Sequence, residues 1–292
     1  MRVLVTGGQG FLGAWIIRRL HAGGHRVRVF DLGRNTELVE RIAGTLPEWV
    51  TGDVADPAQV LDAARGCDAI IHLAGILTPA CAADPKRGAE INLIGTINVF
   101  EAARALGISQ VVYTSSAAAF GPEPGAPPFP VTHYGAFKLA CEGCARAYWE
   151  EQKIASIGFR PYIVYGPGRE TGLTAGPSLA CKAAARGEDY TIGYTGESGL
   201  IYVDDVAAAY EAAVLGTITG AHVFNLEGVT ISTADFAAEI QRQVQGAAIA
   251  VTGPNLPLPA KMLKDNLSEV LPGLPTTSVA DGIAATVTFY RD

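Results

Sequence analysis

Through residues 1–160 the chain alternates short apolar runs with amphipathic stretches. Arg2–Thr6, Arg26–Phe30, Glu48–Thr51, Ala69–Leu73, Gln110–Ser115 and Ile154–Arg160 have the length and composition of buried strands, and helical periodicity fills the gaps. Strand followed by helix, repeated, predicts an α/β fold: a doubly wound parallel sheet with right-handed crossovers and helices on both faces. A ligand is then expected beyond the C-terminal ends of the strands.

After Arg160 the rhythm breaks. Pro161–Pro177 is rich in Gly and Pro, a short helix is expected near Leu179–Arg186, and Val251–Pro275 holds five prolines before a final helix near Val279–Tyr290. The strand pattern Leu200–Val203 and the helical pattern Val206–Leu215 look like further sheet material. The expected organisation is a nucleotide-binding domain over 1–165, with 199–226 returning to it, and a smaller interleaved substrate lobe within 166–292.

Composition narrows the function classes. Hydrophobic residues make up 49% of the 292 and charged residues only 17%, as in a compact globular protein. A formal net charge of −7 offers no basic field for nucleic acid or an anionic membrane surface, so the expected partner is a small molecule. The five cysteines lack framework spacing, which argues against disulfides and for a reducing cytoplasm. Cys141-x-x-Cys144 has no second ligand pair, so no metal site is expected. Neither a basic leader with a long apolar core nor an apolar run of about 18 residues is visible, so a soluble, non-exported protein is expected.

The strand Val3–Thr6 runs directly into Gly7-Gly8-Gln9-Gly10-Phe11-Leu12-Gly13, and a helical pattern follows at Trp15, Ile16 and Leu20. Gly7 suits a tight turn, Gly10 a close backbone approach to pyrophosphate, and Gly13 close helix packing. The helix N-terminus supplies N–H groups and a positive dipole end. Asp31 ends the second strand 18 residues after Gly13, where a carboxylate can accept from adenosine ribose hydroxyls. That carboxylate repels a 2′-phosphate, which favours NAD over NADP, although Arg34 nearby keeps NADP as the lesser alternative.

In order along the chain, Thr6-Gly7-x-x-Gly10-x-x-Gly13, Gly52-Asp53-Val54, His72-Leu73-Ala74-Gly75, Asn92-x-x-Gly95-Thr96-x-Asn98-Val99, Val112–Gly121, Tyr134-Gly-Ala-Phe-Lys138, Arg160–Gly168 and Ile201–Val206 form one series. The series resembles the extended short-chain dehydrogenase/reductase superfamily, in particular its NAD-dependent epimerase/dehydratase proteins, over nearly the whole chain. The resemblance implies a Rossmann fold, a homodimer, and an NAD site built from Gly7, Gly10, Phe11, Leu12, Gly13, Asp31, Asp53, Val54, Leu73, Ala74, Gly75, Asn92, Thr114, Tyr134, Lys138, Pro161 and Ile163. It implies Ser116, Tyr134 and Lys138 as the catalytic group. Ser115 is the alternative serine. Thr78, Ser116 and Arg169 fall on the substrate side.

The residue types suit the chemistry. Tyr134 and Lys138 lie four apart, on one face of a helix expected over Phe137–Trp149 and its entry. Positive charge beside a phenol favours its phenolate, which can take the proton of a secondary alcohol while hydride leaves for the nicotinamide. His133 reads as a helix-entry residue.

The sequence also departs from the family. Ala117-Ala118 stand where many dehydratases carry an Asp-Glu pair, which argues against dehydration, and Ile163 stands where nucleotide-sugar members commonly have Asn. The segment from Ser116 to Tyr134 is short and filled with Pro122, Pro124, Pro127, Pro128 and Pro130, suggesting a stiff wall over a compact substrate. Arg169 reads either as a ligand for a carboxylate or phosphate or as a solvated loop residue. The hydroxyl- and glycine-rich run Thr171–Ser178 reads either as a cradle for an anion or, the favoured reading, as an N-cap by Ser178 or Thr174 for the following helix; Asp204 and Asp205 are expected to cap the helix near Val206. The expected function is an NAD-dependent epimerase or dehydrogenase acting on a carbohydrate-like hydroxyl, in a free sugar, sugar acid or nucleotide sugar. A steroid-type or other apolar-alcohol dehydrogenase and a non-catalytic dinucleotide sensor are the alternatives.

Overall fold

The computed structural model describes residues 1–259 and 261–291. Its strands are β1 Arg2–Thr6, β2 Arg26–Asp31, β3 Glu48–Thr51, β4 Ala69–His72, β5 Gln110–Thr114, β6 Ala155–Pro161, β7 Ile163–Tyr165, β8 Tyr190–Ile192, β9 Glu197–Tyr202, β10 Ala221–Leu226, β11 Val229–Ser232 and β12 Ile249–Val251. Its α-helices are α1 Phe11–Ala22, α2 Glu37–Ala43, α3 Pro57–Ala64, α4 Thr78–Ala83, α5 Pro85–Ala89, α6 Gly95–Leu106, α7 His133–Gln152, α8 Gly176–Arg186, α9 Val203–Leu215, α10 Thr233–Gln243, α11 Leu267–Val270 and α12 Val279–Arg291.

Seven strands form one parallel sheet in the order β10-β6-β5-β4-β1-β2-β3. Successive residues point to opposite faces, and both faces are buried. Val3, Val5, Val29, Ile71, Val112 and Ile157 pack into one core with α1 and α9, while Leu4, Phe30, Ile70, Val111 and Tyr113 pack into the other with α3, α6 and α7. Each fully buried large apolar side chain contributes roughly 1.5–3 kcal/mol, so these two layers supply most of the driving force. The strand order reverses at β1, between β2 and β4, which opens a crevice at their C-terminal ends.

The stretch 199–226 divides between two sheets. Strand β9, expected in the main sheet, instead pairs parallel with β7 and antiparallel with β11, whereas β10 joins the main sheet beside β6. A buried apolar run reports burial but not its pairing partner. Among the described residues no helix is long and apolar enough to cross a membrane, and no group of three or more His, Cys, Asp or Glu side chains is arranged to hold a metal ion.

Candidate active site

The crevice holds a cavity of about 340 Å³, bordered on one side by the glycine turn and on the other by the start of α7. At Gly7 the chain takes φ +70°, and a Cβ there would sit 2.7 Å from the backbone nitrogen of Ala74. The turn and the segment after β4 therefore approach as only glycine permits. Gly10 provides no side chain to cap α1, and its first turn carries no acidic residue. The N–H groups of that turn remain available to an anion.

Beneath the turn runs a buried polar chain. Thr96 Oγ1 donates to the Asn92 carbonyl at 2.7 Å, so it accepts from His72 Nε2 at 3.1 Å. His72 Nδ1 then accepts from Thr6 Oγ1 at 2.7 Å, and Thr6 Oγ1 accepts from the Ala74 N–H. Burial and the nearby Lys138 charge lower the His72 pKa to about 3, which keeps the ring neutral and this network in one arrangement.

On the opposite wall, Thr132 caps α7 by accepting from Gly135 N at 3.1 Å. The helix thus begins at His133, four residues before the expected Phe137, and Tyr134 lies in its first turn. Gly135 is obligatory, because a Cβ there would fall 2.0 Å from the Ala118 carbonyl oxygen. That close approach sets Tyr134 beside the Ser116–Ala118 segment. Lys138, one turn on, is 4% exposed, and its Nζ donates to the Thr114 carbonyl at 2.8 Å and lies 5.7 Å from the Tyr134 ring centre. Ser116 Oγ accepts from Ala118 N at 3.1 Å, capping a short 3₁₀ turn, which leaves its own proton to donate into the cavity. Ser115 is committed elsewhere: its hydroxyl donates to the buried carboxylate of Glu142, which Arg160 grips through two nitrogens.

Of the positions expected from the sequence, Gly7, Gly10, Phe11, Leu12, Gly13, Leu73, Gly75, Thr78, Asn92, Thr114, Ser116, Tyr134, Lys138, Pro161, Ile163 and Arg169 line the cavity. Asp31, Asp53, Val54 and Ala74 lie outside its lining. Asp31 ends β2 and accepts from Gln9 N at 3.1 Å, Gln9 Nε2 at 2.9 Å and Leu32 N at 2.9 Å. A carboxylate offers about four lone-pair sites, so one remains for a ribose hydroxyl. Burial raises the Asp31 pKa against those hydrogen bonds. Asp53 is held by Arg87 at 2.8 Å, and the Val54 carbonyl accepts from Asn98.

Three local expectations are corrected. The prolines from Pro122 to Pro130 lie outside the lining, and the residues of that segment that face the cavity are Ala117, Ala118 and Phe120 before them and Val131 and Thr132 after them. Neither Thr174 nor Ser178 caps α8. Thr174 accepts from Arg169 at 2.9 Å, and Ser178 accepts from Gly166 N at 3.0 Å. Helix α9 starts at Val203, and Asp204 and Asp205 sit in its first turn bonded to Arg19 and Thr277 respectively. In each case a partner distant in sequence claims the polar group. Cys141 is a buried free thiol whose pKa burial raises, an inert group.

Residues that the sequence did not single out also shape the site. Leu77, Val131, Thr132, Leu173 and the run Leu256-Pro257-Leu258 all line the cavity. Thr132 was legible as a Thr preceding a helix start; the Leu256–Leu258 run carried no signal, because only the fold returns it to the crevice.

A dinucleotide fits these residues. Uncapped N–H groups would meet its pyrophosphate, the free lone pair of Asp31 would meet a ribose, and Asn92, whose buried Oδ1 has no partner, lines the cavity beside Gly75 and Lys138. Comparison with known proteins agrees. The chain is 31% identical to the UDP-glucose 4-epimerase of Mycolicibacterium smegmatis, an alignment covering 100% of this chain and 99% of that protein. It is 31% identical to the 2-alkyl-3-oxoalkanoate reductase of Stenotrophomonas maltophilia over 76% of this chain and 67% of the relative. The solved structure of Thermus thermophilus UDP-glucose 4-epimerase in complex with NAD superposes with a TM-score of 0.85 at 27% identity, covering 100% of this chain and 99% of that one. The sequence profile of the NAD dependent epimerase/dehydratase family matches residues 3–226. The chain therefore belongs to that family of NAD-dependent enzymes of the short-chain dehydrogenase/reductase type.

Proposed function

We propose that this protein binds NAD along the glycine turn and interconverts a secondary hydroxyl and a ketone on a carbohydrate-like substrate, with Ser116, Tyr134 and Lys138 as the catalytic group. The observation that carries this reading is the convergence of all three on one cavity, with the Lys138 ammonium fixed at 2.8 Å on the Thr114 carbonyl beneath Tyr134. Bound NAD supplies a hydride acceptor. Ser116 donates to the substrate oxygen, and Tyr134 takes the hydroxyl proton and returns it in the reverse direction, with the Lys138 ammonium beside it. The full-length similarity to a UDP-glucose 4-epimerase supports the carbohydrate class.

A second reading, an apolar alcohol, is favoured by the mouth of the cavity, where Leu77, Val131 and Leu173 are exposed by 46%, 56% and 65%. A panel of sugars, sugar acids and apolar alcohols deuterated at the carbinol carbon separates the outcomes. Deuterated NADH accumulating marks a dehydrogenase, and an inverted product without net NADH marks an epimerase. Binding of NAD with neither result across the panel leaves the sensor reading. Free thiols at Cys67, Cys81, Cys141, Cys144 and Cys181 support a reducing, cytoplasmic setting, and sedimentation tests the homodimer that the family resemblance implies.

A further inference from the structure

We infer that Arg169 is the anchor for a carboxylate on the substrate, so that the enzyme acts on a hydroxy acid; this rests on the proposed alcohol–ketone chemistry. Among the described residues, the charged side chains lining the cavity are Lys138 and Arg169, both cations, and no carboxylate lines it with them. In a chain of net charge −7, that local excess of positive charge favours an anionic ligand.

Lys138 is occupied by the Thr114 carbonyl. Arg169 is not. Its Nη2 donates to Thr174 Oγ1 at 2.9 Å, while its Nε is buried without a partner. The carboxylate adjacent in sequence, Glu170, is taken by Lys182 at 2.7 Å. Burial lowers the Arg169 pKa, the electrostatic signature of a guanidinium short of compensation. Having accepted from Arg169, Thr174 retains its own hydroxyl proton, so the cavity wall there carries one free hydroxyl donor beside a guanidinium with an unclaimed N–H. Leu77 and Arg169 both border Gly172, so an apolar side chain flanks the guanidinium there, and a ligand need bring only one negative charge to match it.

The guanidinium also lies 5.8 Å from the Phe11 ring centre, in the glycine turn, so the pyrophosphate of NAD is the rival source of an anion. The reaction balances without any new reagent. The carbinol C–H leaves as hydride to NAD, the O–H proton passes to Tyr134, and the acid group is unchanged in the resulting keto acid.

The test is equilibrium binding by titration calorimetry to the NADH-loaded protein, in which a hydroxy acid has no hydride acceptor, so binding is read whatever the role of Tyr134. The probes are D-gluconate against sorbitol and 3-hydroxyoctanoate against its methyl ester. At least one acid is expected to bind about tenfold more tightly than its neutral counterpart. Arg169→Gln removes that preference, and Arg169→Lys retains part of it. The affinity for NAD and the melting temperature stay unchanged, which shows the variants are folded. No acid preference in either pair overturns the assignment, as does a preference that survives Arg169→Gln. A tenfold loss of NAD affinity in Arg169→Gln, with the melting temperature intact, also overturns it by assigning the arginine to pyrophosphate.

Discussion

Ser115 donates a 2.5 Å hydrogen bond to Glu142 across the buried seam between β5 and α7, and so leaves Ser116 as the serine free to serve the cavity. The two neighbours therefore separate into different roles. Ser115→Ala is expected to cost roughly 1.5–3 kcal/mol in urea denaturation, as for a hydrogen bond to a charged group, with turnover little changed. Ser116→Ala is expected to keep its stability and to lose about 10²–10³ in kcat. The reverse pattern would move catalysis to Ser115.

Glu142 also binds Arg160 bidentately, with side-chain exposures of 4% and 13%. Removing one partner strands a buried charge, so Glu142→Leu is expected to cost about 3–5 kcal/mol. Combining it with Arg160→Met removes both charges and is expected to restore part of that loss. A double-mutant cycle on chemical denaturation measures the coupling, and strictly additive losses would show that the pair is not linked energetically.

His72 makes stability depend on pH. Its folded pKa is about 3, below the ordinary value near 6.5, so the unfolded chain binds a proton first as pH falls. Its contribution is intact above about 6.5 and is lost progressively toward about 3, with a limiting slope of about 1.4 kcal/mol per pH unit. Denaturation midpoints between pH 7 and 4 for the protein and for His72→Asn check this. The substitution should flatten the profile, and parallel profiles would show that His72 does not titrate on unfolding.

Asp31 is expected to exclude the 2′-phosphate of NADP. Three donors from Gln9 and Leu32 hold its carboxylate at the end of β2, so it cannot swing away to admit a second negative charge. Fluorescence titration should give NADP binding at least about tenfold weaker than NAD, and Asp31→Ser should narrow the gap. Equal affinities in the unaltered protein would contradict the assignment.

The main sheet was legible because its middle strands β1, β4 and β5 are buried on both faces and read as apolar runs, at Val3–Val5, Ala69–Ile71 and Val111–Tyr113. What stayed hidden depended on partners far along the chain. The polar stretch from His133 to Ala136 has no apolar period, so the start of α7 emerges only through the Thr132 cap and the contact at Gly135. The hydroxyls of Thr174 and Ser178 look like caps locally, yet one serves Arg169 and the other Gly166. Pairing of β9 with β7 rather than with the large sheet is likewise a tertiary choice. Around the glycine turn the cavity-facing positions were readable because local backbone geometry dictates them. The apolar mouth was not, since Leu77, Val131, Leu173 and Leu256 come from four separate segments.

The most direct measurement is the turnover of Tyr134→Phe beside its NAD affinity, using a substrate found in the deuterium panel. The phenol is expected to supply proton transfer and little of the cofactor binding. The variant should therefore bind NAD within a few-fold of the unaltered protein and lose about 10²–10⁴ in kcat. Turnover that persists at the original rate with NAD bound would contradict the assignment of Tyr134 as the group that moves the proton.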